Sequence, residues 1–323
     1  MSNIHSVTPD ISVLLSVFNE EKYIVDTITS VLDQTYENFE LIIIDDASTD
    51  KTLEILKSFK DTRINIFTNN RNIGQTKTLN IGLDKCRGRY IARIDGNDIM
   101  TENRLTKQFD YLKNNPDTKV VGSFFYLIDE LGESIGTAKW PCGLEYNLFR
   151  SICGKNPVGH PAVLMEKNVI KEVGKYREEF WFAQDYDLWL RLFERGYLID
   201  NIPEYLTIYR EVFETSNIKK NKQEALHRKA FISYIQNIAN KAVNPSVLNK
   251  YLDFILFNGS KQLSIRETLF VYNVFNYLLS CLSKRSSLAI DKKYFREMFF
   301  KDIQTYSKKG KQLIRFIIRN ILR

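Results

Sequence analysis

The sequence shows no paired cysteines, no opening segment that reads as an export signal and no apolar run long enough to span a membrane. Its 323 residues include four cysteines, and none of them forms a CxxC pair or a metal-ligand spacing. A disulfide framework is therefore not expected. The start of the chain has neither a basic segment nor an apolar one, so nothing marks it for export. We expect a cytoplasmic protein.

Glycine-rich phosphate loops are also missing. Neither GxGxxG nor GxxxxGK[ST] occurs anywhere in the chain. If a nucleotide binds, its diphosphate is therefore expected to be held through a metal ion. Hydrophobic residues make up 44% of the sequence and aromatic residues 13%, which is an ordinary globular balance and argues against disorder.

Acidic residues are scarce at one end of the chain. Residues 1–215 contain 25 Lys and Arg against 33 Asp and Glu, whereas residues 216–323 contain 21 against 6. We therefore predict two regions, 1–215 and 216–323, that face different partners. A basic region can serve nucleic acid or an anionic membrane surface. Because no nucleic-acid-binding motif is recognisable there, we do not expect a nucleic-acid partner.

Hydrophobic periodicity predicts alternating strands and helices in the first region. Continuous apolar runs indicate buried strands, and apolar residues at helical spacing indicate amphipathic helices between them. This alternation is typical of a parallel sheet with flanking helices. The middle, about 135–180, reads as irregular, and the second region reads as helical, at 223–240, 246–257 and 264–282. The predicted strands are 11–17, 39–44, 64–67, 90–94, 120–128 and 162–165, and the predicted helices are 22–34, 52–59, 76–86 and 103–114.

Polar residues follow three of these strands directly. They are Asn19 and Glu20, Asp45 and Asp46, and the turn Asp95-Gly-Asn-Asp98. Ligands of open α/β sheets bind at the carboxyl ends of the strands, so these clusters can converge on one ligand. Oxygen atoms of Asp95, Asn97 and Asp98 suit Mg²⁺ or Mn²⁺. The alternative is an ordinary polar turn.

A further pair of acids, Asp185 and Asp187, opens an amphipathic helix. The helix dipole stabilises carboxylates at that end, which accounts for one of the two without a functional role. The basic, apolar stretch 308–323 predicts an amphipathic helix on an anionic membrane face. The alternative is a terminal helix that packs on its own domain.

Several motifs, in order, resemble those of the inverting glycosyltransferases of family 2. The resemblance covers about residues 10–212 and implies the GT-A fold, a Rossmann-like, mixed and mainly parallel α/β sheet with flanking helices, here followed by a helical C-terminal region. The motifs are Ser12–Glu20, Ile43–Asp50, Asn72–Gly74, Leu79–Gly82, Arg93–Asp98, Gly159–Pro161, Gln184–Arg191 and Tyr209-Arg210.

The resemblance implies a reaction and roles for residues. A sugar would pass from a nucleoside diphosphate sugar, with UDP favoured, to a saccharide or lipid-linked acceptor in cell-surface polysaccharide synthesis. Asp185 would be the base, and Mg²⁺ or Mn²⁺ would lie near Asp95, Asn97 and Asp98. The other implied positions are Asp45 or Asp46 at the nucleotide base, Asn19 or Glu20 near the ribose, Arg71 and Asp95 at the nucleotide sugar, and His160, Trp189 and Arg191 on the acceptor side.

Some of these roles have structural alternatives. Arg71 can be a solvated loop residue, His160 a turn histidine beside Pro161, and Trp189 and Arg191 braces for the helix that carries Asp185.

The sequence departs from the family pattern at three points. Asn97 stands at the second acid of the Asp-x-Asp motif, Gln184 replaces the Glu before the base, and Glu211 follows Tyr209-Arg210 where relatives often have a His nearby. We expect weaker metal binding, because the Asn97 amide oxygen can still ligate. A catalytically weakened binding subunit therefore remains an alternative. A sugar nucleotidyltransferase is a poorer one, since the first strand is followed by acids and not by a basic loop.

Overall fold

The computed structural model describes residues 8–212, 217–257, 265–284 and 290–304. The predicted helix at 308–323 and the predicted boundary at residue 215 lie outside these ranges. The strands are β1 Ile11–Val17, β2 Phe39–Asp45, β3 Ile64–Thr68, β4 Tyr90–Asp95, β5 Ile99–Met100, β6 Thr118–Ile128, β7 Ser134–Ala138, β8 Leu164–Glu166 and β9 Leu198–Arg210. The helices are α1 Ile24–Leu32, α2 Thr52–Ser58, α3 Gln75–Lys85, α4 Arg104–Asn114, α5 Leu144–Ile152, α6 Lys167–Glu172, α7 Gln184–Glu194, α8 Asn217–Ile238, α9 Pro245–Leu252, α10 Ile265–Ser283 and α11 Lys292–Gln304.

The nine strands of the described residues form one mixed sheet in the order β3-β2-β1-β4-β8-β6-β9-β5, with β7 paired to β6. The first four strands of that order are parallel. The short strand β8 runs antiparallel to both neighbours, β4 and β6. The carboxyl ends of β1, β2 and β4 therefore meet at one edge of the sheet. This arrangement confirms the predicted α/β fold class.

Each face of the sheet has its own hydrophobic cluster. Alternate residues of β1, such as Val13 and Leu15, pack with α1, α2 and α4 on one face. On the other face Leu14 packs with α3, α5 and α7, and buried residues of α8 to α11, such as Phe231 and Phe275, continue the same cluster. Fully burying such side chains contributes about 1.5–3 kcal/mol each. The described helices after residue 216 therefore extend this core, where α8 packs on α7 and α10 packs on α5.

Two parts of the fold differ from the sequence expectation. The segment expected to be irregular contains β7, α5 and α6. The long strand β9 was not predicted, because Asp200, Asn201 and Pro203 interrupt its apolar pattern. Its register against β6 is irregular from Ser123 to Phe125, as expected for a strand that contains a proline. No helix in the described ranges is both long enough and apolar enough to cross a membrane.

Candidate active site

A cavity of about 730 Å³ opens beside the carboxyl end of β4. It brings Asp95, at the end of β4, and Asp185, in the first turn of α7, to one space. The first turn of α3 forms another wall. The lining residues are Ile73, Gly74, Gln75, Thr76, Lys77, Arg93, Asp95, His160, Glu178, Trp181, Phe182, Gln184, Asp185, Tyr209, Lys219 and Gln223.

Asp95 is held by a buried cation. The guanidinium of Arg93, whose side chain is 2% exposed, donates to both carboxylate oxygens of Asp95. Gln75 Nε2 donates to Asp95 Oδ1 at 3.2 Å. Burial of a charge is costly unless it is paired, so Arg93 and Asp95 form a unit. Both side chains line the cavity.

The rest of this turn is fixed by the neighbouring elements. Thr27 Oγ1 of α1 donates to the carbonyl oxygens of Gly96, at 2.9 Å, and Asp98, at 2.7 Å. Arg210 of β9 donates its backbone N–H to Asp98 Oδ1 at 3.0 Å and its Nε to the Asn97 carbonyl at 3.1 Å. Arg210, from the Tyr209-Arg210 motif, therefore fixes the turn that holds Asn97 and Asp98, two of the candidate metal ligands.

Asp98 is fully buried, and its Oδ2 has no hydrogen-bond partner among the described residues. Burial, together with the nearby Asp95, raises the pKa of Asp98 well above its usual range. Asn97 is partly exposed in the same turn. Within the described residues, no three or more His, Cys, Asp or Glu side chains are grouped closely enough to hold a metal ion. Any cation bound at this turn would therefore need the Asn97 amide or ligands from outside the protein.

The loops after β1 and β2 are joined to each other by Asn19. This residue has a φ of 57°, a conformation that asparagine tolerates better than most residues. Its N–H donates to Ser48 Oγ at 3.0 Å, and its Oδ1 accepts from the N–H of Thr49 at 2.8 Å. Asn19 thus closes the two loops on each other and does not line the cavity.

Glu20 packs against the turn after β4. A Cβ built at Gly96 would lie 2.9 Å from Glu20 Cγ, so only glycine allows this approach. Desolvation, followed by the charges of Asp95 and Asp50, raises the pKa of Glu20 to about 7. Glu20 is therefore electrostatically coupled to Asp95, although it does not line the cavity.

Asp45 and Asp46 are both buried, but their hydrogen bonding differs. Asp46 Oδ1 accepts from Asn69 Nδ2 at 2.7 Å and from the N–H of Ile73 at 3.0 Å, and its Oδ2 accepts from the N–H of Gly74 at 2.8 Å. Asp46 therefore holds the loop that leads into α3. Asp45 Oδ1 accepts from the N–H of Ser48 at 3.2 Å, whereas its Oδ2 has no hydrogen-bond partner within the part of the chain that the structure describes.

Asp185 faces the cavity and has one side-chain partner among the described contacts. Asn156 Nδ2 donates to Asp185 Oδ2 at 3.2 Å. Asp187, two residues later, is 1% exposed and bonds to Arg177 and Arg191. The two aspartates therefore point to different environments, one to the cavity and one to an ion-pair cluster.

Of the three predicted acceptor-side residues, only His160 lines the cavity. His160 lines the cavity and contacts Tyr176 Oη through Nε2 at 2.7 Å. Burial lowers the pKa of His160 well below its usual value, so the ring is neutral. Trp189 is fully buried, and Arg191 donates to Asp187 and to the Val173 and Lys175 carbonyls. Arg71 is exposed, and neither it, Trp189 nor Arg191 lines the cavity.

Sequence reasoning missed a polar bridge across the cavity. Gln184 Nε2 donates to Gln75 Oε1 at 3.1 Å, and Gln75 in turn donates to Asp95. The chain of contacts links the residue before Asp185 to the turn after β4. It also missed Trp181 and Phe182, which stack at 3.9 Å and line the cavity. In the sequence, the only sign of these two cavity residues is that two aromatic residues stand next to each other shortly before Gln184.

Comparison with known proteins finds similarity to glycosyltransferases. The profile of glycosyl transferase family 2 matches residues 12–174. The O-antigen biosynthesis glycosyltransferase WbnJ of Escherichia coli is 39% identical over 209 residues, covering 62% of this chain and 79% of WbnJ.

Two solved structures share the fold. TarS 1–349 of S. aureus in complex with UDP-GlcNAc superimposes with a TM-score of 0.58 at 16% identity, over 94% of this chain and 92% of that one. The mannosyltransferase PcManGT of Pyrobaculum calidifontis, in complex with GDP-Man and Mn²⁺, gives 0.57 at 14% identity, over 98% and 88%.

Proposed function

This chain belongs to glycosyl transferase family 2, and we propose that it moves a sugar, with inversion, from a nucleoside diphosphate sugar to a saccharide or lipid-linked acceptor. Its membership confirms the resemblance seen in the motifs, and relatives such as WbnJ act in O-antigen synthesis. The observation that carries the proposal is that Asp95 and Asp185 line one cavity. A donor-side acid and an acceptor-side base therefore face the same space.

On the donor side, Asp45 is our candidate for holding the nucleotide base. Its buried Oδ2 lacks a partner, and a buried acceptor without a donor is costly. A base N–H, as in uracil, would satisfy this oxygen once the loop after β2 moves to admit it, because Asp45 is fully buried and does not line the cavity. The structurally similar TarS was solved in complex with UDP-GlcNAc, which supports a UDP sugar as the first donor to test. Asp46, which has three donors already, would act by positioning the loop before α3.

The residues of the turn after β4 fit a divalent cation. Asp95, Asn97 and Asp98 offer oxygen donors, and Asp98 Oδ2 is unpaired. Mg²⁺ is commonly bound through one or two carboxylates and the phosphates of the substrate, so three protein acids are not required. The PcManGT structure contains Mn²⁺ with its donor. When bound, the ion would neutralise the charge that develops on the departing diphosphate.

Asp185 would act as the general base. The acceptor hydroxyl gives its proton to Asp185 while its oxygen attacks the anomeric carbon, and the bond from that carbon to the diphosphate oxygen breaks. The diphosphate leaves with the bonding electrons, so a single displacement inverts the anomeric centre. Asn156 orients Asp185 by donating to Oδ2, which leaves the other carboxylate oxygen for the hydroxyl.

The test is donor turnover by the purified full chain over UDP, GDP and TDP sugars, with Mn²⁺ or with a chelator. One donor should turn over only with the metal. Asp185→Asn should lower that turnover by about 100-fold or more, the usual contribution of a general base, while nucleotide binding persists. Asp117→Asn, an identical change at an exposed site on the chain, is the matched control and should leave turnover unchanged.

Two outcomes would count against the proposal. Turnover that survives in Asp185→Asn would remove the base assignment. Nucleotide binding without turnover of any donor, with a lipid-linked acceptor extract present, would favour the binding-subunit alternative that Asn97 and Gln184 first suggested.

A further inference from the structure

Helix α8, from the region after residue 216, reaches the candidate active site. Its residues Lys219 and Gln223 line the cavity that Asp95 and Asp185 share. His227 follows Gln223 by four residues, and these two side chains also line a second cavity, of about 460 Å³. Residues at this spacing lie on one face of a helix. That face of α8 therefore forms part of the wall of the site, and α8 packs on α7, the helix that carries Asp185.

The His227 ring packs flat against the residue that follows the base. It stacks on Tyr186 at 3.8 Å with an interplanar angle of 4°. Tyr186 is 1% exposed, and its hydroxyl has no hydrogen-bond partner among the described residues. Packing therefore holds the Tyr186 ring, and His227 supplies one of its contact surfaces.

The same histidine bonds to the loop after α5. His227 Nε2 lies 2.7 Å from the Gly154 carbonyl oxygen, which can only accept, so Nε2 carries the proton. Burial lowers the pKa of His227, and the Gly154 hydrogen bond and the charge of Asp185 oppose this only in part. The ring is therefore neutral near pH 7 and donates as an uncharged N–H.

The loop at Gly154 is enclosed on a second side by the helices that follow α8. Gly154 has a φ of 69°, and a Cβ built on it would lie 2.7 Å from Leu252 Cδ2 and 2.9 Å from Leu256 Cδ1. A larger residue would therefore be strained and would collide with these leucines. Residues after 216 thus hold this loop between a hydrogen bond and an apolar surface.

The loop leads directly to the partner of the base. Asn156, two residues after Gly154, donates from Nδ2 to Asp185 Oδ2 at 3.2 Å. The Asn156 carbonyl accepts from Arg150 Nε at 3.0 Å and from Arg150 Nη2 at 2.8 Å. The contact between Asn156 and Asp185 therefore has one neighbour on each side, Gly154 and Tyr186, that touches His227.

We propose that His227 is a positioning residue for the base, because its N–H holds the loop that directs Asn156 to Asp185 while its ring packs on Tyr186. This rests on the proposed function, since it takes Asp185 to be the base. A catalytic group displaced by about 1 Å can lose much of its effect, so a rigid support is expected behind it. Helix α8 is then part of the catalytic unit.

The first test is a double-mutant cycle in the full chain, with the UDP sugar that the wild type turns over. His227→Phe keeps a flat ring and removes the N–H, so it should lower kcat by about tenfold and leave the donor KM within about twofold. Adding Asn156→Ala should cost little more than the larger single effect, because both changes break one path. Effects that multiply to about a hundredfold would overturn the proposal.

Two single variants complete the cycle. His227→Gln keeps an N–H for the Gly154 carbonyl and should lose less turnover than His227→Phe, and an equal or larger loss would reject the hydrogen bond as the path. Asn221→Ala, at an exposed position of α8, is the control and should turn over like the wild type.

Hydrogen exchange gives a second readout that needs no turnover. The N–H groups of Cys153 and Lys155 both donate to the Arg150 carbonyl at 3.0 Å, so the loop has protected amides to lose. In full chain with UDP, His227→Phe should speed exchange severalfold at residues 153–157 and leave residues 75–85 of α3 unchanged.

The two readouts separate the possible failures. Unchanged exchange at 153–157 in His227→Phe would overturn the path from His227 to Asn156. Equally faster exchange in α3 would mean a general loss of structure and would also reject a positioning role. Absence of turnover in the wild type would count against the proposed function, and the exchange measurement would still accept or reject the path.

Discussion

Asp185 and Asp187 allow one chemical change to be made in two environments. Asp185→Asn removes a charge from a cavity wall, whereas Asp187→Asn removes it from a buried cluster. Asp187 Oδ1 and Oδ2 each accept from Arg177 Nε at 3.1 Å, and Oδ2 accepts from Arg191 Nε at 2.9 Å. We predict that the first change lowers turnover by about 100-fold or more and leaves the fold intact, and that the second destabilises the fold.

The magnitude follows from the burial of the cluster. Removing one partner of a fully buried ion pair costs about 3–5 kcal/mol, because the remaining charge is left uncompensated. Arg191 is 14% exposed and Arg177 34% exposed at the side chain, so water screens part of that cost. The asparagine also keeps one oxygen to accept from an arginine. We therefore expect a loss of about 2–3 kcal/mol in the free energy of unfolding for Asp187→Asn.

Thermal unfolding followed by circular dichroism measures this difference. A loss of that size should lower the unfolding midpoint of Asp187→Asn by roughly 5 °C in a chain of this length, while Asp185→Asn should unfold within about 1 °C of the wild type. Nucleotide binding by Asp185→Asn shows that its donor side is intact. Equal midpoints for the two variants would refute the reasoning, since it depends on their different burial.

Three further predictions concern single side chains. Asn156→Ala should lower kcat by about tenfold and leave the donor KM unchanged, because the lost hydrogen bond to Asp185 is to a charged group; initial rates at varied donor concentration measure both. Asn97→Asp should lower the Mn²⁺ concentration needed for half-maximal turnover severalfold, since it adds a charged ligand; a metal titration of initial rates tests this, and no change would argue against a metal at this turn. As the pH falls below about 6.5, the wild type should lose up to about 1.4 kcal/mol of unfolding free energy per pH unit relative to His160→Gln. Because the folded pKa of His160 is depressed, its stability contribution is present above the unfolded pKa and is lost as the pH falls; urea unfolding at pH 7.0 and 5.5 checks the sign.

Most of the first half of the sheet could be predicted from the sequence because β1, β2 and β4 are buried on both faces. Continuous apolar runs placed β1 at 11–17, and the structure has Ile11–Val17. Strand β2 was predicted to end one residue early, since Asp45 is polar although it is the last paired residue of the strand. The helices between these strands were found within about two residues at each end.

The second half of the sheet and its helices were harder to predict, because contacts with residues far along the chain decide which of their side chains are buried. Helix α5 begins after Gly143, which has a φ of 103°. The helix packs against α10, which lies more than a hundred residues later in the chain. Strand β9 contains Asp200, which is buried because it accepts from Tyr111 Oη at 2.7 Å and from the Gly143 N–H at 2.6 Å. Neither contact has a local signal, so a polar residue in a strand looked like a loop.

For the candidate site, the sequence predicts which residue types lie at the strand ends. Only the hydrogen bonds in the structure show which of two neighbouring aspartates has an oxygen left to bind a ligand. Asp45 and Asp46 are adjacent and both buried, yet Asp46 uses both oxygens on the loop before α3 and Asp45 keeps one unpaired. Asp185 and Asp187 divide in the same way between the cavity and an arginine cluster. Within these two pairs, the carboxylate whose acceptors are filled by the fold positions the site, whereas the one with an unfilled acceptor is our candidate to take a proton or a ligand N–H. By that criterion Asp45 and Asp185 are the members of each pair to mutate for function, and Asp46 and Asp187 are the members to mutate for stability.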